Sequence, residues 1–282
     1  MERAFYEPAG PDAFVSTEAT IGPWSAEAQH GGPPSALAAR AMELHEPTER
    51  QRLAKVAIDI LRPVPIGKIS VRTRTVRPGR RVALIESVLE ADGQEVLHAR
   101  GWRIERATAE VPEVNEAAEP PRPLPPSGDG LPPMIFQREQ HGYLASIEWR
   151  FLSETYADLA DSGASGGELG RARHSSQARI RAAWTRPRIP LLPGEAASPM
   201  SRVLLVADSG SGVGAALPST DFIFINVDLS VVLPRDPHGD WLLLESSTTV
   251  GSDGTGLAVT RLSDTSGAVG QGWQTLLVAP RG

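Results

Sequence analysis

The chain carries one structural pattern twice, on either side of a proline-rich stretch, and this repeat restricts its possible folds more than any other feature. Residues 107–133 read "ATAEVPEVNEAAEPPRPLPPSGDGLPP" and contain few large apolar side chains, which is typical of an extended connector. Strand-like runs separated by glycine-containing turns precede and follow it. We therefore predict two domains, residues 1–106 and 138–282, joined by a linker over residues 107–137.

The repeat can be aligned on two short motifs. The run "VAIDILRPVP", which begins at Val56, resembles "INVDLSVVLP", which begins at Ile225. Further along, "ARGWR" from Ala99 resembles "GQGWQ" from Gly270. A strand pattern that recurs at this spacing indicates a duplicated structural unit.

A helix-like segment precedes the aligned strands in each half. The first extends from Pro33 to Leu44 and the second from Pro199 to about Leu217. A helix followed by several long antiparallel strands, present twice, predicts a duplicated α+β fold.

Composition excludes several classes of function. The 282 residues include no cysteine, and the six histidines are scattered without metal-ligand spacing, so we expect no metal and no cofactor. The net charge of −6 and pI near 5.6 argue against a nucleic-acid partner. No run approaches the roughly 18 apolar residues of a membrane span, and the first residues do not resemble a signal peptide. These features predict no membrane association and favour the cytoplasm.

The stretch "QHGGPPSAL" leads into the first helix and suggests a substrate-binding position. Proline is well tolerated in a first helical turn, and the paired glycines Gly31 and Gly32 let a backbone approach another molecule closely. The free amides of such a helix start can stabilise negative charge on a carbonyl oxygen. We therefore treat His30, Gly31 and Gly32 as candidates for substrate binding. A simple turn that begins a helix explains the same residues.

Five stretches together resemble a known family. They are "GPWSAEAQHGGPPSALAARAMEL", "EWRF", "SPMSRVLLVADSGSGVGAAL", "FINVDLSVVLPRDP" and "GWQTLLV". Over nearly the whole chain the sequence resembles the double-hotdog acyl-CoA thioesterases, the type II bacterial and peroxisomal enzymes. The resemblance implies two hotdog domains, each a curved antiparallel sheet wrapped around a central helix.

The resemblance also implies catalytic residues and a dimer. The family's aspartate falls on Asp208 in "LLVADSG", and its glutamine falls on Gln274 in "GWQ". The family's hydroxyl position is occupied by Asn226, which can form hydrogen bonds but has no hydroxyl group. Because hotdog sheets have long exposed edges, a homodimer of the two-domain chain is also expected.

The repeat alignment makes this candidate site one-sided. It places Asn226 on Ala57 and Gln274 on Arg103. Asp208 falls near Ala39. One functional site between two unequal halves explains that asymmetry. The recurring Asp59 and Asp228 we interpret as structural.

The predicted activity is hydrolysis of an acyl-CoA or related thioester. Asp208 would act as general base on a water held by Gln274 and Asn226, while the amides around Gly31 and Gly32 polarise the carbonyl. Direct attack by the Asp208 carboxylate is an alternative mechanism. Two other functions compete: a non-hydrolytic acyl-CoA binding protein with a decayed site, and a hotdog dehydratase, whose "D-x-N-P-x-H" loop the sequence lacks.

Overall fold

A computed structural model describes most of the chain. The described residues are 3–112, 114, 120–126, 141–152, 155–156, 178–219 and 221–281. Most of the predicted linker, and nearly all of the Gly/Ser-rich stretch between Ser153 and Ser176, therefore lie outside them.

The first half contains six strands and one long helix. The strands alternate buried and exposed side chains, as expected when one face of a sheet covers a core. The β5 to β6 hairpin turns at Asp92 and Gly93, both with positive φ, in agreement with the Asp-Gly turn signal. The elements are β1 (Tyr6–Gly10), β2 (Ala13–Ser16), α1 (Gly32–Leu44), β3 (Gln51–Ile60), β4 (Lys68–Arg77), β5 (Val82–Ala91) and β6 (Gln94–Glu105).

The second half repeats this plan with seven strands. Its helical segment is shorter than predicted, because it stops at Ala207 and resumes for a single turn after Asp208 and Ser209. The elements are α2 (Gly142–Ser146), β7 (Ile147–Phe151), β8 (Arg181–Pro187), α3 (Pro199–Ala207), α4 (Gly210–Val213), β9 (Phe222–Asn226), β10 (Asp228–Val232), β11 (Leu242–Val250), β12 (Thr255–Asp264) and β13 (Gly267–Pro280).

The strands of both halves form one antiparallel sheet. Its order is β1-β2-β4-β5-β6-β3-β10-β13-β12-β11-β8-β7, with β9 also paired to β13. Strands β3 and β10 join the halves, from the Asp228 and Asp59 pair to the Val232 and Lys55 pair. The two aspartates thus lie at the seam, and the Asp228 carboxylate accepts a hydrogen bond from the Thr275 amide, in keeping with a structural role.

The strand pairing corrects the register of the repeat. Val56 lies opposite Gly101 of "ARGW", whereas Val231 lies opposite Gly272 of "GQGW". Val56 therefore corresponds to Val231 rather than to Ile225. The two valines also lie opposite each other in the sheet, so the approximate two-fold relation between the halves passes through this pair. The sequence alignment was wrong because alternating strands match almost equally well after a shift by whole side-chain periods.

Helices α1 and α3 pack against each other beneath the sheet and run in opposite directions. The start of α3 meets α1, since the Ser201 hydroxyl donates to the Ala36 carbonyl oxygen at 3.2 Å. At the other end, a β-carbon on Gly32 would lie 2.2 Å from the Leu205 carbonyl oxygen. The absence of a side chain at Gly32 therefore permits the close approach of the two helices.

None of the helices in the described residues has both the length and the apolar character needed to cross a membrane. The His, Asp and Glu side chains of the same residues form no group of three or more that could hold a metal ion.

Candidate active site

Asp208 lies at the break between α3 and α4. The residue is only 4% exposed, but it lines a cavity of about 550 Å³. Ser198 caps the start of α3 and Pro199 begins the helix, so the sequence determines where α3 starts. The regular helix ends at Asp208, whose backbone keeps right-handed helical angles (φ −62°, ψ −19°), and the carboxylate faces the start of α1.

Two side-chain amides hold one oxygen of this carboxylate. Asn226 Nδ2 donates to Asp208 Oδ1 at 3.0 Å, and Gln274 Nε2 donates to the same oxygen at 3.1 Å. Asn226 ends β9 and Gln274 lies within β13, so neighbouring strands position the two donors. The three residues derived from the family resemblance therefore meet at one point.

Ser211 fixes the orientation of both amides. Its backbone N–H donates to Gln274 Oε1 at 3.0 Å, and its hydroxyl donates to Asn226 Oδ1 at 3.0 Å. The oxygen of each amide is thus engaged, which turns each NH₂ group towards Asp208. The sequence motif contained Ser211 but did not indicate this role.

The second carboxylate oxygen faces His30 and Gly31. Asp208 Oδ2 lies 3.3 Å from His30 Nδ1, and a β-carbon on Gly31 would lie 2.7 Å from it. The His30 ring stacks on Tyr143, with 3.7 Å between ring centroids and 6° between planes. Burial lowers the pKa of the His30 imidazole, and the charge of Asp208 opposes that shift only in part.

Tyr143 and Ser209 complete the surroundings of His30. Tyr143 Oη lies 2.9 Å from Ser209 Oγ, which in turn lies 3.5 Å from His30 Nε2. Burial raises the pKa of the Tyr143 phenol, so it stays protonated and able to donate. Tyr143 belongs to no motif in the sequence, and only the folded chain places it here.

The start of α1 offers fewer amides than the sequence suggested. Pro33 and Pro34 have no N–H, and the Gly32 N–H donates to His30 Nδ1 at 3.1 Å. Gly32 is buried and does not line the cavity. Gly31 does line it, and its amide has no acceptor within the described part of the chain. A substrate contact therefore fits Gly31, whereas Gly32 serves the packing of the helices.

A cavity of about 550 Å³ opens beside Asp208, between the two halves. Its polar side is formed by Asp208, Ser209 and Asn226. The remaining wall is mainly apolar and includes Ile60, Val64, Leu97, Leu144, Ile223 and Phe224. This arrangement fits a ligand with an apolar chain and one reactive polar group.

Two arginines that line the cavity form no ion pair with a carboxylate of the described residues. Arg62, from the first half, donates to Gln94 Oε1. Arg281, from the second half, donates from Nε to the Ser219 carbonyl oxygen at 2.8 Å. The Arg281 guanidinium lies 6.0 Å from the ring of Trp24, which is 49% exposed. This part of the cavity can receive an anionic group. The basic run from Arg77 to Arg81 does not line it.

Comparisons with known proteins identify the family of this chain. A family model for the acyl-CoA thioesterase C-terminal domain matches residues 120–278, and one for the N-terminal domain matches residues 20–104. This chain belongs to the acyl-CoA thioesterase family. Family membership supports hydrolysis of acyl thioesters as its general activity. No curated protein sequence matches the chain.

Solved structures of this family's fold superpose on nearly the full length. A Thermobifida fusca protein, named as a candidate thioesterase II, gives a TM-score of 0.70 at 19% identity, covering 97% of this chain and 95% of that one. The acyl-CoA thioesterase II TesB2 of Mycobacterium marinum gives 0.64 at 15% identity, with 98% and 95% covered. An Alicyclobacillus acidocaldarius protein of unknown function with a hot dog fold gives 0.61 at 15% identity, with 98% and 95% covered. At these identities the likeness concerns the fold.

Proposed function

We propose that the chain hydrolyses acyl-CoA to a free acid and coenzyme A, with Asp208 as the general base. The observation that carries this proposal is the buried carboxylate of Asp208. Two side-chain amides donate to its Oδ1, and Asp208 lines a mainly apolar cavity. Oδ2 then accepts a proton from the attacking water. Such general-base assistance typically contributes about 10²- to 10⁴-fold in rate.

The start of α1 supplies the complementary charge. The unpaired Gly31 amide and the positive end of the helix dipole stabilise the oxyanion that forms on the thioester carbonyl. Gln274 and Asn226 act chiefly by orienting Asp208, because their NH₂ groups already donate to it. Asn226 can perform this task without a hydroxyl group, which argues against a decayed site.

The thiol carrier is proposed to be coenzyme A. The guanidinium groups of Arg62 and Arg281, which form no ion pair with a described carboxylate, match its phosphates, and Trp24 offers an aromatic surface for its base. The apolar wall receives the acyl chain. Each half is proposed to form a hotdog around its own helix, so that the reaction takes place between the two.

A thiol-release assay over a series of acyl-CoA chain lengths tests this function. Turnover of at least one chain length is expected, and binding without turnover would favour the non-hydrolytic alternative. Arg62→Gln and Arg281→Gln should raise KM for the CoA thioester but leave KM unchanged for the N-acetylcysteamine thioester of the same acid. Equal effects on both thioesters would contradict phosphate recognition.

Isotope labelling separates the two mechanisms. In a single turnover in H₂¹⁸O, a general-base mechanism leaves Asp208 unlabelled. An anhydride intermediate attacked at the Asp208 carbonyl would transfer the label into the Asp208 carboxylate. Mass spectrometry of the peptide that contains Asp208 distinguishes the outcomes.

A homodimer is also proposed, because β1 and β7 end the described sheet and leave edges that can pair. Light scattering at micromolar concentration should give twice the chain mass of 30.1 kDa. A monomer mass would refute this assembly.

A further inference from the structure

The hydrogens around His30 can be assigned one at a time, starting from a backbone carbonyl. Tyr143 Oη lies 2.8 Å from the Leu205 carbonyl oxygen, which can only accept, so the phenol hydrogen points there. Ser209 Oγ lies 2.9 Å from the same phenol oxygen. Because Tyr143 has no second hydrogen to give, Ser209 donates in this contact.

The same logic then fixes the tautomer of His30. The single hydroxyl hydrogen of Ser209 is engaged, so in the 3.5 Å contact Nε2–H of His30 is the donor and Ser209 Oγ accepts. At the other ring nitrogen, the Gly32 N–H donates to Nδ1 at 3.1 Å, which requires a lone pair on Nδ1. His30 is therefore neutral, with its proton on Nε2.

With this tautomer, His30 can accept a hydrogen bond from Asp208 only when Asp208 is protonated. The single lone pair of Nδ1, which accepts the Gly32 N–H at 3.1 Å, also faces Asp208 Oδ2 at 3.3 Å, and the two acceptor atoms attract each other only when Oδ2 carries a proton that shares this lone pair. Oδ1 already accepts two amide hydrogens. A proton taken from water therefore goes to Oδ2, where an acceptor is already in place.

We propose that His30 is a positioning residue that accepts a hydrogen bond from Asp208 while Asp208 holds the catalytic proton. This inference rests on the proposed thioester hydrolysis. Water loses a proton to Oδ2 as its oxygen bonds to the thioester carbon, and the carbonyl electron pair moves to oxygen. When that pair returns, the C–S bond breaks, and the sulfur leaves with the bonding electrons and takes the proton from Oδ2.

Two substitutions separate this role from simple packing. His30→Asn keeps an acceptor atom near the position of Nδ1 but removes the ring that stacks on Tyr143. His30→Phe keeps the ring and removes the acceptor. We expect kcat to fall by about 100-fold in His30→Phe and much less in His30→Asn, as general acid-base contributions imply. The opposite ranking, or wild-type kcat in His30→Phe, would overturn the proposal.

The leaving group provides a second readout that a packing role would not move. An alkyl thiol has a pKa near 8.5 and benefits from a proton as it departs, whereas a more acidic aryl thiol needs little help. The loss in His30→Phe should therefore be much smaller for an aryl thioester than for the alkyl thioester of the same acid. Equal losses for both would contradict a role in holding the proton.

The tautomer can be tested without any activity. Long-range ¹H–¹⁵N spectra of histidine-labelled protein should show His30 protonated at Nε2 and unprotonated at Nδ1, with His30→Phe used to assign the signals. A proton on Nδ1 would overturn the proposal even in an active enzyme. If the wild type shows the expected tautomer but hydrolyses no thioester, the proposed function fails and the hydrogen-bond assignment stands.

Discussion

The three positions that form the candidate site in the second half have polar counterparts in the first half, but there they bond to different groups. Arg103 in β6 corresponds to Gln274 in β13, and both reach the end of the helix in their own half. Arg103 donates to the carbonyl oxygens of Met42, His45 and Glu46, which are the last acceptors of α1 and its following turn. Gln274 instead donates to the Asp208 carboxylate.

Arg103 is the counterpart that the sequence alignment gave, but the other two counterparts differ from it. Asn226 lies opposite Leu276 of β13, and Glu105 holds the position in β6 that matches Leu276. Gln51 lies opposite Glu105, so the counterpart of Asn226 is Gln51 and not Ala57. Gln51 binds the carbonyl oxygens of the β4 to β5 turn.

When α1 and α3 are matched by their C-terminal ends, His45 takes the place of Asp208, and its Nε2 lies 3.1 Å from Thr75 Oγ1. Polar residues thus occupy the matched positions in both halves, whereas the sequence alignment had placed Asn226 on Ala57 and Asp208 near Ala39. The halves differ in what the polar groups bind.

The helix starts show the same contrast. Ser198 caps α3 by accepting from the Ser201 amide at 3.1 Å, and its hydroxyl donates to Glu43. Gly31 provides no side-chain cap for α1. The cavity beside Glu43 measures about 130 Å³, against about 550 Å³ beside Asp208. One end of the helix pair is thus capped and nearly closed, and the proposed substrate site lies at the other, open end.

The largest expected effect comes from Asp208→Asn, which should lower kcat on the best acyl-CoA on the order of 10³-fold. The melting temperature should change little, because the Asn oxygen can still accept from Asn226 and Gln274. Thiol release and thermal unfolding of the purified variant measure both quantities. Hydrolysis at the wild-type rate would contradict the catalytic role proposed for Asp208 at the open end of the helix pair.

The next largest effects are expected at the paired glycines, where substitutions of Gly31 and Gly32 should have different consequences. Gly31 has φ of −65°, so Gly31→Ala is compatible with the backbone, but the new methyl group meets Asp208 Oδ2 and should lower turnover by about 100-fold. Gly32→Val pushes against the Leu205 backbone and should mainly destabilise the fold.

Gly79→Val is the matched control. A β-carbon there would lie 2.3 Å from the Val82 carbonyl oxygen, far from the cavity, so stability should fall without a specific effect on turnover. If Gly31→Ala lost activity only in proportion to stability, as Gly79→Val should, the substrate contact at Gly31 would be refuted.

The two strand positions can be compared directly. Gln274→Ala should lower turnover by about 10-fold, because Asp208 loses one of its orienting donors, with a smaller effect on unfolding. Arg103→Ala removes charged hydrogen bonds to three helix-end carbonyl oxygens and should lower the free energy of unfolding by about 2 to 4 kcal/mol. Its turnover per folded molecule should match the wild type. A loss of stability in Gln274→Ala together with a loss of turnover in Arg103→Ala would contradict the roles assigned to these two residues.

The last comparison concerns Glu43, at the closed end, where the smallest effect on activity is expected. Burial raises the pKa of Glu43 to about 7, although the Ser198 and Ser201 hydroxyls oppose the shift. Because the pKa in the folded state lies above its unfolded value, the stability from protonated Glu43 is fully present below about pH 4.5 and is lost as pH rises to about 7.

Glu43→Gln should therefore remove up to about 3 kcal/mol of this pH dependence while leaving the activity profile unchanged. Urea unfolding of wild type and variant at several pH values between 4 and 8 provides the measurement. Parallel curves for the two proteins would refute the raised pKa.

The sequence was sufficient for those features that depend on nearby residues or on a whole motif. Alternating apolar residues and the Asp92-Gly93 turn predicted strands and a hairpin, because both signals act within a few residues. The family motifs brought Asp208, Asn226 and Gln274 to attention together, and the structure places them in contact.

Other features were decided by the tertiary structure alone. The pairing of Val56 with Val231 depends on contacts between the halves, and an alternating pattern cannot distinguish shifts by an even number of residues. Tyr143 reaches His30 because α2 packs against the helical turn at residues 18–20, where the Tyr143 amide donates to the Ile21 carbonyl oxygen at 2.9 Å. The different roles of Gly31 and Gly32 follow from the direction from which α3 approaches, since one β-carbon would meet a carboxylate and the next a backbone carbonyl. Such differences over a few ångströms arise from long-range packing, which no local pattern of residues encodes.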